Sequence, residues 1–536
     1  MQRKRNWSLL LIMTVVLSMF LAACAGGSSD SEEDNNSNES DSTTNEKALD
    51  FVIATISDAA KLDPHLSTDV PSYNVQNNLF DGLVKKDKDD QIVENLATNW
   101  EVIDDTTWVF ELRDDVTFHD GEAFNAEVVK KNFERILDEN IAAPRAFIFE
   151  MITDIEVLDE YKVQLTTEFP FAPLLAHLTH PVGAMVSPKS IDEDYAAMEE
   201  GKEPGSVINE HPVGTGFFKF DNWNHGTEVK LVKNDNYWGQ EVQLNSVTFK
   251  AIPEGGTRLA ELETGYAHLI EPVQPSEVAL VEDSDNAFVD ERLSSSLAYV
   301  GFNLEKEPFD NKLVRQAVTM LISQNDILEG IYEGHGLAAT GPLAPGVFGH
   351  AENLKPLPHD PDKALELLKE AGYEDGFKTT LWTNDNQQRM DMAILIQEAL
   401  KQANIEVDIE IVEWGAYLDK TANGEHDMFI LGLTNPVGDA DYFLSQLFHS
   451  ENKGLSGNRT FYENPEVDKL LVEARQEIDE NKRLELYTTI QEILIEDAPM
   501  MYVHHQSYLS GLSNSVENYW IDPSGYYKLQ DITIKE

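Results

Sequence analysis

Few side chains in this chain are placed to do chemistry, and most of them suit binding better than turnover. His177 and His180 stand three apart and His504-His505 are adjacent. Such imidazole pairs can hold nickel, but without a third ligand nearby they more often serve structure. No Gly-x-Ser-x-Gly elbow, phosphate loop or His-Glu-x-x-His occurs, so the chain reads as a non-enzyme. Arg145, in an apolar loop, can grip a carboxylate bidentately. Arg389 opens a helix expected over Met390 to Gln402, and its surface reading is favoured. Trp382, Asn384 and Asn435 are expected on loops after strands, where α/β sheets place their ligand contacts. Thr434 adjoins them. Gly214-Thr215-Gly216 reads as a tight turn whose amides could also meet an anion. Trp414 reads as core.

These residues need a scaffold, and the pattern supplies one of alternating strands and helices. Phe51 to Ile56 is a short apolar strand, broken at Leu62-Asp63-Pro64. Ser72 to Leu83 is expected as a helix. Trp108, Phe110 and Leu112 alternate with Val109 and Glu111 in a strand preceded by a turn at Asp104-Asp105. Asn125 caps a helix over 126–137, Asp360-Pro361 opens one closed by Gly372, and Asn464-Pro465 opens another. Ile405 to Ile411 alternate as a strand with one wet face. Helices dominate from Val467 to Glu496, Pro499 ends them, and Met500 to Leu509 reads as a final strand. The alternation occurs both before and after about residue 300, which argues for two α/β lobes.

The N-terminus gives the compartment. Arg3, Lys4 and Arg5 precede an uncharged apolar run over Leu9 to Leu21, an export signal too short for a stable membrane span. Leu21-Ala22-Ala23-Cys24 follows, and Cys24 is the one cysteine of the chain. The quartet resembles a bacterial lipobox, which implies lipidation at Cys24 after removal of residues 1–23. Residues 24–47, rich in Ser, Asn, Asp and Glu, cannot bury enough apolar surface to order, and read as a disordered acidic tether. The chain carries 96 Asp+Glu against 40 Lys+Arg, a formal charge of -56. Acidity spread this evenly repels nucleic acid and says little about a ligand. With no second cysteine, disulfides within the chain and thiolate metal clusters are excluded.

The ordered motifs identify a family. Leu62-Asp63-Pro64-His65, Asn95 to Trp100, Trp108 to Gly121, His211 to Phe218, Asn234 to Gly239, Tyr299 to Asn303, Asp310 to Ala317 and Gly438 to Phe443 cover nearly the whole body. Together they resemble the peptide-and-nickel-binding family (family 5) of extracellular solute-binding proteins of ATP-binding-cassette importers. The phrasing at Ala143 to Phe147, Phe171 to Leu178 and Gly341 to Gly346 is closest to Gram-positive glutathione or short-peptide binders.

The resemblance implies an α/β, two-lobed periplasmic-binding-protein (class II) fold with the ligand cleft at the hinge. Lobe one would span 48–297, with an extra subdomain at 85–210, and regain the C-terminal residues 506–536. Lobe two would span 298–505. The implied partners are a short peptide or glutathione-like ligand, permease and ATPase subunits, and the membrane through the lipid. No cofactor and no nucleic acid are implied, and the protein would act as a monomer on the extracytoplasmic face. A nickel chelate or oligosaccharide cargo, or a surface sensor without transport, are the competing readings.

Dipeptide-binding members hold the ligand amine with an aspartate three residues after a tryptophan, and its carboxylate with an arginine near Leu381-Trp382. Here the first stretch reads Leu433-Thr434-Asn435-Pro436, and both anchors are missing. Asp439 is the leading substitute for the amine contact, with a helix cap as its equal alternative. Asn303 is expected to tie the crossing strands.

Overall fold

The computed structural model describes residues 49–454 and 457–535. The export signal, Cys24 and the tether lie outside the described residues. Lobe one is built on a seven-stranded sheet. Its parallel centre pairs Asp50–Thr55 with Ser246–Ala251 on one side and Leu269–Glu271 on the other. Phe51 and Ile53 on one face and Ala54 on the other are fully buried, as expected for a central strand covered on both faces. Lobe two is built on a six-stranded sheet. There Lys378–Asn384 runs parallel to Glu406–Val412 and Met428–Thr434.

Two segments cross between the sheets. Ala287–Leu293 belongs to the first sheet and Ser296–Phe302 to the second, with Ser294-Ser295 between them. The expected single strand from Met500 to Leu509 is in fact two. Met500–His505 pairs in the second sheet and Ser507–Ser513 in the first, and the break at Gln506 is the second crossing. The crossings are tied together, since Ser294 donates to the Gln506 carbonyl through its amide at 2.9 Å and its hydroxyl at 2.6 Å. After Ser513 the chain stays on lobe one, where the Tyr527 amide donates to Asn74 Oδ1 at 2.9 Å.

A four-stranded antiparallel sheet made of Ala97–Asp104, Thr107–Leu112, Lys162–Thr167 and Ile152–Asp159 carries its own core, with Phe110, Phe133, Phe149 and Leu165 fully buried. The helix Ala126–Leu137 is capped by Asn125, whose Oδ1 accepts from the Val128 amide. Asp360 and Asn464 cap Pro361–Glu370 and Pro465–Gln476 in the same way. The helix expected over Ser72 to Leu83 occupies Val70–Leu79 instead. Asp69 accepts from the Ser72 amide and Pro71 sits in the first turn, so it starts earlier, and extended backbone at Phe80 stops it. Among the described residues no helix is long and apolar enough to cross a membrane.

Candidate functional site

In both lobes the parallel strands point their carboxyl ends toward the crossings, and open α/β sheets form their ligand crevices at such ends. A cavity of about 660 Å³ lies there. Pro272, Gln274 and Glu277 follow the strand Leu269–Glu271 on its lobe-one wall. Asp385 to Arg389 follow Lys378–Asn384 on its lobe-two wall, Gly432 to Thr434 end Met428–Thr434, and Gln506 and Tyr508 come from the crossing.

The charges on these walls are incompletely matched. Arg389 Nη1 donates to Asn384 Oδ1 at 2.9 Å, and the guanidinium lies 5.7 Å from the centre of the Trp414 ring. Arg258, on the helix Gly255–Glu263, is 1% exposed. It donates to the carbonyls of Ile252, Pro253 and Pro272, and its Nε has no partner. Burial lowers its pKa. Among the described residues neither guanidinium has a carboxylate at ion-pair distance. Glu271 accepts from the Tyr527 hydroxyl at 2.9 Å, and burial pushes its carboxyl above the usual carboxylate range. Glu277 Oε2 accepts from the Gln274 amide, which fixes the loop. His504 is held neutral, lowered to about 4 by burial first and His505 second, and both its ring nitrogens lack partners.

A third guanidinium, Arg145, joins the lobes outside this cavity. Its Nη1 donates to the Tyr442 hydroxyl at 2.9 Å and its Nη2 reaches the Thr68 carbonyl at 3.5 Å. Its Nε is buried without a partner. Tyr73 and Tyr526 stand beside it, their rings 5.8 Å apart.

Of the residues singled out from sequence, Arg389 and Thr434 line the cavity and Asn384 orients Arg389. The surface reading of Arg389 is therefore corrected, because its helix begins at Gln387 under the Asn386 cap and turns the side chain toward Gly432. Trp414 is corrected in the same way, being 43% exposed beneath that guanidinium and not in the core.

The remaining candidates lie elsewhere. Trp382 and Asn384 sit within the strand Lys378–Asn384 and not on a loop, and the Trp382 indole donates to Thr380 Oγ1. Asn435 closes a turn, accepting from the Gly438 amide and donating to the Asp439 carbonyl. Asp439 caps the helix Ala440–Phe448 and is ion-paired to Arg483 at 2.9 Å, so its cap reading replaces the amine contact. Gly214 and Gly216 press on the end of the helix Val70–Leu79, where a Cβ would strike the Leu79 backbone, and Thr215 donates to Asp81. Their role is close packing. Asn303 ties the end of its own strand to the carbonyls of Gly424 and His426, inside lobe two and away from the crossings. Among the described residues no three His, Cys, Asp or Glu side chains gather as a metal site would need.

Sequence reasoning missed the lobe-one wall, including Arg258, Glu271 and Glu277. The available signal was Glu271-Pro272-Val273-Gln274-Pro275, two prolines directly after a strand, which forces the chain out of the sheet at its carboxyl end.

A family model, "Bacterial extracellular solute-binding proteins, family 5 Middle", matches residues 91–454. The chain is 32% identical over 497 residues to the glutathione-binding protein GsiB of Escherichia coli O157:H7, covering 91% of this chain and 95% of that one. It is also similar to the DppA periplasmic binding protein of Helicobacter pylori solved with the peptide STSA, with a TM-score of 0.79, 31% identity, and coverage of 91% and 98%. The oligopeptide-binding protein AppA of Bacillus subtilis, solved with a nonapeptide, superposes with a TM-score of 0.78 at 26% identity, covering 91% and 99%.

Proposed function

The chain belongs to the family 5 bacterial extracellular solute-binding proteins, and from that premise we propose that it captures a short peptide, glutathione being the leading candidate, in the hinge cavity and delivers it to a membrane permease. The observation that carries this reading is the pairing of unmatched charges across the cavity. Arg389, a cation with no carboxylate, stands on one wall and Glu271 on the other. A zwitterionic peptide matches both, its carboxylate on the guanidinium and its amine on Glu271. Glu271 then takes the part of the aspartate that is missing at Pro436. The similarity to a glutathione-binding protein adds weight to a ligand with two carboxylates and one amine, for which the free Nε of Arg258 is a second anion contact. About 660 Å³ is within the range of small-ligand sites and leaves room for a tripeptide with water.

Closure of the lobes excludes solvent and strengthens every charged contact inside. The receptor works from the extracytoplasmic face, anchored by lipid on Cys24. Titration calorimetry with glutathione, dipeptides and tetrapeptides tests the cargo. Saturable heat with glutathione is expected, and silence across the whole panel would overturn the peptide reading. Globomycin treatment of expressing cells tests the anchor, since a lipoprotein precursor then accumulates.

A further inference from the structure

Another cavity, of about 550 Å³ and separate from the hinge cavity, is lined mostly by lobe-one residues, with Pro436 of lobe two on its wall. It lies between the hairpin of Val84–Lys86 and Ile92–Glu94, the loop around Tyr237-Trp238 and the C-terminal segment from Trp520 to Asp531. In a chain with 96 acidic and 40 basic residues, its wall gathers Lys85, Lys86, Lys88, Arg113 and Lys528.

Two of these charges are closely paired. Lys528 pairs with Asp522 at 3.0 Å, and Arg113 pairs with Asp115 at 2.7 Å while lying 4.5 Å above the Trp238 ring. Asp81 receives Thr215, Trp238 and Asn95. Lys86 is held more loosely. Its side chain is 12% exposed, its ammonium makes no hydrogen bond among the described residues, and its ion pair with Asp90 is long, at 3.8 Å. The same ammonium lies against Gly438 of lobe two, where any Cβ would collide with it. Burial lowers its pKa. A buried ammonium with one long ion pair and no hydrogen bond has donors to spare, so the site gains from an anion. Asn95 Oδ1 and Asn77 Nδ2 are also buried without partners beside the cavity. Trp238, Trp520 and Tyr526 offer ring faces.

We propose that this cavity is a second ligand site, for a hydroxylated monocarboxylate such as a sugar acid. The carboxylate sits on Lys86, hydroxyls reach Asn95 and Asn77, and the ring lies on the aromatic wall. A monoanion fits better than a phosphate because Asp87, Glu94 and Asp531 border the same space and repel a second negative charge. The proposal rests on lobe-one residues and does not use the hinge cavity.

The probe is D-glucuronate, with glucose and inorganic phosphate beside it, titrated into the purified protein and into Lys86→Met. Glucuronate is expected to bind saturably, glucose at least about tenfold more weakly, and Lys86→Met to lose at least about thirtyfold in affinity. Glutathione at saturation should leave the glucuronate isotherm in place. No saturable binding, unchanged binding to a Lys86→Met variant with native circular dichroism, equal binding of phosphate, or displacement by glutathione would each overturn the assignment. Lys86→Arg, which keeps the charge if Lys86→Met fails to fold, should retain binding.

Discussion

Two arginine environments in this protein have opposite characters. Arg135, on the helix Ala126–Leu137, is buried in lobe one and its charge is paired with two carboxylates. Its Nη2 meets Asp63 at 2.7 Å and Asp194 at 2.9 Å, and its Nη1 meets His65 Nδ1 at 2.7 Å. Arg389 and Arg145, around the cleft, are held by an amide oxygen, a tyrosine hydroxyl and a carbonyl, with no carboxylate at ion-pair distance among the described residues. Neutral dipoles orient a guanidinium without neutralising it. A cation paired with two carboxylates is finished as structure, while one held by dipoles alone keeps its charge for a ligand. Position in the chain says nothing about which is which, because Arg135 and Arg145 are ten residues apart.

That contrast can be broken by substitution. Arg135→Met should cost the most, about 3–5 kcal/mol in urea melts, because two buried carboxylates lose their cation. Ligand affinity of the folded protein should not change. Asp439→Asn strands Arg483 and should cost about 3 kcal/mol of stability, again with unchanged affinity; the reverse result would restore Asp439 as the amine contact. Arg389→Met should behave oppositely, losing about thirty- to a hundredfold in glutathione affinity by calorimetry while stability moves by about 0.5 kcal/mol or less. A larger affinity loss in Arg145→Met would move the carboxylate seat to the tyrosine cage.

The paired cluster around Arg135 also has a pH signature. His65 is lowered to about 4, by burial first and Arg135 second. Its folded form binds a proton less readily than the unfolded chain, whose histidine titrates near 6.5. Its contribution is therefore complete above that value and declines as pH falls toward 4. Between pH 7 and 5 this one group should remove about 2 kcal/mol, and His65→Gln should flatten the stability profile by that amount. The smallest effect belongs to Tyr442→Phe, which removes the hydroxyl that Arg145 reaches across the lobes. About 1 kcal/mol should appear as weaker ligand binding or a more open scattering profile.

Much of the fold was legible because its punctuation is local. Asn125, Asp360-Pro361 and Asn464-Pro465 cap the helices they were expected to cap, since a cap needs only its own side chain and the next turn. The family motifs carried the two-lobed architecture. Legibility failed where partners are distant. Met500 to Leu509 reads as a single strand, and although the polar stretch His504 to Ser507 interrupts its apolar residues, nothing local says that the chain passes to another sheet at Gln506. Trp414 was read as core from its type, yet Arg389 holds it at the cleft edge.

By itself, the sequence determined the class of molecule: an acidic receptor body with no enzymatic motif and alternating α/β elements. Those properties depend on composition and on short-range spacing. Only the tertiary structure decided which charges are free. Asp439 meets Arg483 across 44 residues of chain, and Glu271 and Arg389 face one cavity although they come from different lobes. Whether a buried charge is matched depends on its partners and on the water removed around it, and both are set by contacts between distant segments.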